Sequence, residues 1–199
     1  AGFAVGAVER GGFVDGTAVK AGDVAIALPA SGVHSNGYSL VRRIVEAAGA
    51  RYEDPAPFQT DETLGQALLR PTRIYAKAAV ALARQGLAAG MAHITGGGLV
   101  ENPPRAFGKA LALELDMASL AAPPVFDWLQ AAGAVSRRDM ARTVNCGVGM
   151  LVYVQADRAE AALALLRETG APDAAIAGRI VDRAGGEAVR LGGLDRWPG

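Results

Sequence analysis

Two glycine-rich loops carry the side chains able to do chemistry. The first, "LPASGVHSNGYSL" (28–40), sets His34, Ser35 and Asn36 between Gly32 and Gly37, just ahead of an apolar run. Ser31, Ser35 and Asn36 are natural helix caps and turn formers, and the two glycines let a ligand approach the backbone. His34 could donate to an oxyanion or exchange a proton near neutral pH. A lone loop histidine is more often a turn residue bonded only to backbone, and the residues alone leave both readings open. Because the flanking glycines bring no side-chain mass, the imidazole is expected to be uncovered. The second loop, "HITGGGLVENPPR" (93–105), runs from a strand through Thr95, Gly96, Gly97 and Gly98 into a short helix. Backbone N–H groups at the positive end of a helix suit a phosphate or carboxylate. Three consecutive glycines are entropically costly for a mere turn, yet a tight strand-to-helix turn is the competing reading. No Gly-Lys-Ser/Thr follows, so this is not a P-loop, and dinucleotide-fingerprint spacing is absent.

The other reactive types point to structure. His93 lies on an apolar strand and reads as a satisfied core histidine. Cys146, in "VNCGVGM", reads as a small buried thiol at a strand entrance. Two distant histidines and one cysteine make no metal constellation, so no metal ligands are expected. No Ser-His-Asp arrangement is apparent. Phe126, Trp128 and Leu129 fall at helical spacing and read as core.

The elements that must position these loops follow from periodicity. Alternation predicts strands over 3–9, 23–29, 109–116, 147–155 and 174–182, with a buried strand before Thr95 and a short one near 187–193. Apolar residues at three- and four-residue spacing predict helices over 36–48, 72–84 and 157–170. A short helix should precede Pro71, and "PPVFDWLQAAG" and "SRRDMARTV" should form two more. Residues 50–62, with two prolines and several acids, read as a surface loop. The class is α/β (α+β): a mixed sheet with helices packed mainly on one face. The strand at 3–9 begins so abruptly that it is expected to pair with an element outside this chain, with 1–20 a strand plus linker and 21–199 the domain proper.

Composition narrows the partners. Of 199 residues 51% are hydrophobic, enough for a large core. Lys plus Arg and Asp plus Glu both number 20, which argues against a broad nucleic-acid or membrane surface. No apolar run reaches the ~18 residues of a membrane span. A single cysteine excludes an intrachain disulfide framework and fits a reducing cytoplasm. The preference for Arg over Lys fits a GC-rich bacterial gene.

Four segments, "GDVAIALPASGVHSNGYSLVRRIV", "RPTRIYAKAAVAL", "MAHITGGGLVENPPRAF" and "PPVFDWLQAAGAVSRRDMARTVNCGVGM", together resemble the phosphoribosylformylglycinamidine cyclo-ligases, also called aminoimidazole ribonucleotide synthetases. The match runs in order to about Val181 and covers only that family's carboxy-terminal half. Selenophosphate synthetase, hydrogenase-maturation protein, thiamine-monophosphate kinase and formylglycinamidine synthetase share the wider superfamily, but they are less similar over "PTRIY" and "TVNCGVGM". The resemblance implies an enzyme of purine biosynthesis that uses ATP and Mg²⁺. It would activate the formyl oxygen of formylglycinamidine ribonucleotide and close the ring to aminoimidazole ribonucleotide, releasing ADP and phosphate. It also implies a partner amino-terminal domain holding the nucleotide and metal motifs, a homodimer at full length, and no ring closure by this chain alone. Carried over position by position, His34 would contact the substrate or the transferring phosphoryl group, with Ser35, Asn36 and Gly37 beside it. Thr95, Gly96, Gly97 and Gly98, with Asn102, would hold the ribose phosphate. Ala30 and Val144 depart from the usual Ser and Phe, and Val33 occupies a variable position.

Overall fold

The computed structural model describes residues 2–3 and 5–197. In chain order the elements are β1 (Val24–Pro29), α1 (Tyr38–Ala47), β2 (Pro55–Ala56), β3 (Gln59–Thr63), α2 (Leu64–Leu68), α3 (Ala76–Arg84), β4 (Gly90–His93), α4 (Gly98–Glu101), β5 (Leu111–Asp116), α5 (Val125–Ala132), α6 (Arg137–Thr143), β6 (Val148–Val154), α7 (Ala159–Glu168), β7 (Ala175–Asp182) and β8 (Val189–Gly192). Six strands form one mixed sheet in the order β4-β6-β1-β7-β5-β8. Its pairs are antiparallel except β5 with β8.

Strand alternation divides the core in two. On β1, Ala25 and Ala27 face one side, where they join Val41, Ile44 and Val45 of α1, Phe126 and Leu129 of α5 and Met140 of α6. Ile26 and Leu28 face the other, where Ala78 and Leu82 of α3 and Leu163 and Leu166 of α7 cover them. Most helices therefore lie on the first face, as the sequence predicts. The α3–α7 pair covers the second face only over β4, β6 and β1. Beyond it, Ile176 of β7 is exposed, and Glu114 of β5 lies 2.9 and 3.0 Å from Arg179 and Arg190 on the neighbouring strands. Each side of the sheet needs apolar residues only where a helix rests on it, so a charged triad suffices at that end.

Four expectations change. Residues 2–3 and 5–9 form no strand, and Phe3, Val5, Val8 and Phe13 are exposed. Alternation prepares a segment for pairing, and no described strand pairs with this one. The loop at 50–62 contains a β2–β3 ribbon, with Pro55 opposite Thr63 and Ala56 opposite Gln59. Its residues are mostly solvated, so no apolar alternation marks it, and an edge position tolerates proline. The helix expected over 72–84 begins at Ala76, leaving 70–75 as an irregular strap. Finally, α1 starts at Tyr38 with Gly37 as its N-cap in the left-handed region (φ 77°) and no side-chain cap. A Cβ on Gly37 would lie 2.7 Å from Cγ1 of Val144, so glycine is required there. Among the described residues no helix is long and apolar enough to cross a membrane.

Candidate functional site

Strand direction gathers the motifs at one end of the sheet. β6 runs antiparallel to both β1 and β4, with Pro29 opposite Val148 and His93 opposite Met150. The loop after β1, the turn after β4 and the "VNCG" entrance to β6 therefore meet.

The first loop is tied from below. The Asn145 amide donates to the carbonyls of Gly32 (2.9 Å) and Val33 (3.2 Å) and accepts from the Gly147 N–H (2.9 Å). Ala30 N–H donates to the Gly147 carbonyl at 2.7 Å. The "RPTRIY" strap holds the loop from the side. Ser31 Oγ donates to the Pro71 carbonyl (2.7 Å), and Ser35 Oγ lies 3.2 Å from Thr72 Oγ1. Arg73 forks onto both oxygens of Asp173 at 2.8 Å and also reaches the Gly170 carbonyl at 3.0 Å. That guanidinium keeps the Asp173 carboxyl below its ordinary range. Tyr75 Oη donates to the Pro29 carbonyl at 2.8 Å, and burial pushes its phenol up to about 12.

His34 is not uncovered, contrary to expectation. It sits in the left-handed region (φ 61°) with 4% of its surface exposed. The small residues around it let the loop fold inward, and the backbone bonds of Asn145 hold it there. Nε2 accepts the Ser31 N–H at 3.1 Å, which leaves the proton on Nδ1, and Nδ1 is buried without a partner. Burial, reinforced by the charges of His93 and Arg73, lowers its pKa to about 4. At neutral pH His34 is therefore an uncharged imidazole enclosed within its loop.

His93 reverses in the opposite sense. Expected in the core, it is exposed at the end of β4. Its neighbours Ala92 and Ile94 take the core side, and alternation turns the imidazole away from them.

The TGGG turn is closed from within. Asn102, 3% exposed, accepts the Thr95 N–H at 2.6 Å and donates to the Gly96 carbonyl at 3.1 Å. Its amide thus bonds within the turn that it is expected to share with the ribose phosphate. Gly97 (φ 103°) and Gly98 (φ 56°) are both left-handed. The Gly98 N–H returns to the Thr95 carbonyl at 3.0 Å, and α4 is a single turn, so little helix dipole backs an anion here. Gly96 is the open position: a Cβ there would meet only Asn36 Oδ1, at 3.9 Å. Through Asn36 and Gly96 the two loops face each other, with Thr95 half-buried beside them.

Cys146 is a buried thiol at the strand entrance, as expected, and burial raises its pKa far above the ordinary thiol range. Phe126 and Leu129 are core, and Trp128 packs on Phe58 with ring centroids 5.7 Å apart. Residue-level reasoning missed Arg73, Tyr75, Asn145 and Asp173. Gly149 was the available signal for Tyr75, since a glycine inside a strand marks a close approach: a Cβ there would lie 1.8 Å from Tyr75 Oη. Beside Ser31 and Gly32 the described residues enclose about 10 Å³. The roughly 800 Å³ recess elsewhere lies on the open β7-β5-β8 face around the paired Glu114 triad, away from these loops.

Comparison with known proteins agrees with this architecture. Residues 20–190 match the AIR synthase related protein, C-terminal domain. Among solved structures, thiamine-monophosphate kinase from Stenotrophomonas maltophilia is 22% identical at a TM-score of 0.59, covering 92% of this chain and 54% of its own. E. coli HypE, a hydrogenase maturation protein, is 21% identical at 0.56, covering 90% and 49%. T. maritima PurL complexed with AMPPCP is 11% identical at 0.51, covering 93% and 25%. The chain thus spans about half the length of the first two. It belongs to the AIR synthase-related proteins, and its residues 20–190 form their carboxy-terminal domain.

Proposed function

We propose that this chain is the carboxy-terminal part of a phosphoribosylformylglycinamidine cyclo-ligase. The observation that carries the reading is the convergence of its two discriminating motifs on one loop. "PTRIY" reaches the His34 loop through Pro71, Thr72 and Tyr75, and "TVNCGVGM" reaches it through Asn145 and Gly147. These are the segments whose resemblance to the cyclo-ligases exceeds that to other superfamily members.

In this reaction ATP phosphorylates the formyl oxygen of formylglycinamidine ribonucleotide. The amidine nitrogen that carries the ribose then attacks the formyl carbon and loses its proton, and the C–O bond breaks as phosphate leaves, giving aminoimidazole ribonucleotide alongside the ADP already formed. Such chemistry needs positioning and charge stabilisation more than a protein nucleophile. This chain supplies one wall: Thr95 through its hydroxyl and Gly96 and Gly97 through backbone N–H groups take the ribose phosphate, and Ser35, Asn36 and Gly37 line the facing side. Asn102 and His34 hold those two loops in shape. Magnesium does not fit the residues present. Among the described residues no three His, Cys, Asp or Glu side chains converge as a metal group. The nucleotide and metal belong on the amino-terminal domain, and residues 1–20 would be its last strand and the linker. A cytoplasmic homodimer is the corresponding full-length form.

Another ATP-dependent member, such as a kinase or a maturation enzyme, is the alternative, supported by the shared fold of thiamine-monophosphate kinase and HypE. A non-catalytic module retaining the fold is the second. ADP release by the full-length protein should depend on formylglycinamidine ribonucleotide. Release driven by thiamine monophosphate instead would move the assignment to the kinases, and no release with any substrate would favour the module.

A further inference from the structure

The two imidazoles of this chain stand on either side of one tyrosine. The Tyr75 ring lies 6.2 Å from His34, tilted at 53°, and 6.0 Å from His93, edge-on at 63°. Gly149 makes room for this stack, since a Cβ there would also come within 2.9 Å of His34 Cε1. Only one of the two rings is open to a ligand. His34 is enclosed, with one nitrogen occupied by Ser31 and the other sealed off. Reaching it would mean undoing the Asn145 and Ser31 bonds that fix the loop. His93 is exposed. Ile94, its neighbour, is buried and bonded to Gly149, so His93, one residue along the strand, turns away from that core onto the side of Tyr75 and precedes the TGGG turn directly in the chain.

We propose that His93 is the imidazole that contacts the ligand of this cleft at an oxyanion such as a phosphoryl group. Tyr75 sets its ring edge-on, and His34 is a positioning residue that stiffens the loop behind. The two loops offer mainly donors: the Ser35 and Thr72 hydroxyls, 3.2 Å apart, the Thr95 hydroxyl and the exposed backbone of Gly96. The nearby carboxylate of Glu101 is offset by Arg142 at 3.7 Å. Arg73 is committed to Asp173, which leaves the exposed His93 ring as an imidazole N–H donor. This inference rests on reading the loops as a ligand site, but not on which superfamily substrate occupies it.

Kinetics and spectroscopy test it separately. In the full-length enzyme His93→Ala should lower kcat by about 10²–10⁴-fold with an unchanged Tm, and added imidazole should restore part of the rate. His34→Ala should lower Tm and show no imidazole rescue, because its site is sealed. A wrong substrate assignment would appear as an inactive wild type, independently of any ratio between variant and wild type. In parallel, the histidine-labelled 199-residue chain has only two imidazoles to resolve by ¹⁵N NMR. Titration with inorganic phosphate should shift the His93 ring and leave His34 as its Nδ1–H tautomer at pH 7. Near wild-type turnover of His93→Ala, rescue of His34→Ala instead, or a phosphate response at His34 and none at His93 would each overturn the proposal.

Discussion

At Gly96 an added side chain would enter nearly empty space, whereas at Gly98 a Cβ would lie 2.2 Å from the Ala141 carbonyl oxygen. Substitutions two residues apart should therefore fail for opposite reasons. Gly96→Val should leave Tm within a degree or two and abolish phosphate-ligand binding, because its methyl groups fill the space between the loops. Gly98→Ala should destabilise by about 1–3 kcal/mol, from left-handed strain and a backbone clash. Gly97 is no clean probe, since a Cβ there sits 2.9 Å from the Glu101 side chain at φ 103°. Calorimetric titration together with thermal melts decides the matter, and unaltered ligand affinity in Gly96→Val would make the turn purely structural. His34 makes a pH prediction. Its folded pKa of about 4 lies below the ordinary 6.5, so between those values the unfolded chain binds the extra proton. Stability is then full above about pH 6.5 and falls on acidification towards pH 4, by at most about 1.4 kcal/mol per pH unit. Replacing His34 with Gln should flatten the difference in urea midpoint between pH 7 and pH 5. An unchanged slope would mean that another group supplies it.

At the scale of elements, the short segment between α6 and β6 shapes the loop after β1. Asn145 occupies two carbonyls and one N–H with a single buried amide. Asn145→Ala strands those groups and should cost about 1–3 kcal/mol. Asn145→Asp should be worse, although it is nearly isosteric, because a carboxylate would face the carbonyl oxygens of Gly32 and Val33. Urea denaturation of both variants checks the order, and an Asp variant more stable than the Ala variant would refute the donor role. The strap is a second device of this kind. Residues 70–75 have no regular structure, and their bonds go sideways to the loop and to Asp173 rather than into a turn of α3.

Across the whole molecule, the loops form one wall of the proposed site, and in that reading the nucleotide belongs on the amino-terminal domain. These 199 residues alone should therefore release no ADP in response to formylglycinamidine ribonucleotide. Such release from material whose mass matches this chain would overturn that expectation. The far end of the chain closes the domain instead. Trp197 is 1% exposed against Phe126, with ring centroids 6.4 Å apart, and its carbonyl accepts from Arg137. Trp197→Ala should cost about 3–5 kcal/mol, read as a lower denaturation midpoint, without touching the loops.

Local pattern was enough for the element types. The apolar alternation of "DVAIALP" and "GVGMLVYVQ" and the helical spacing around Val41, Ile44 and Val45 depend on neighbours a few residues apart. The glycines of the two loops were legible for the same reason, since backbone freedom is a property of single residues. The β2–β3 ribbon was not, because its residues bury little and so carry no apolar period. Nor was the contrast between the two histidines. His34 is covered through Asn145, whose bond to Gly32 spans 113 residues, and through a strap some forty residues away. His93 is left open because alternation at the end of β4 gives the core to its neighbours. The sequence by itself determined the strands of the six-stranded sheet, the main helices and the glycine loops, which are set by short-range periodicity and backbone preference. Only the tertiary structure decided which imidazole faces the cleft, because burial is a sum over contacts between segments that the chain order keeps far apart.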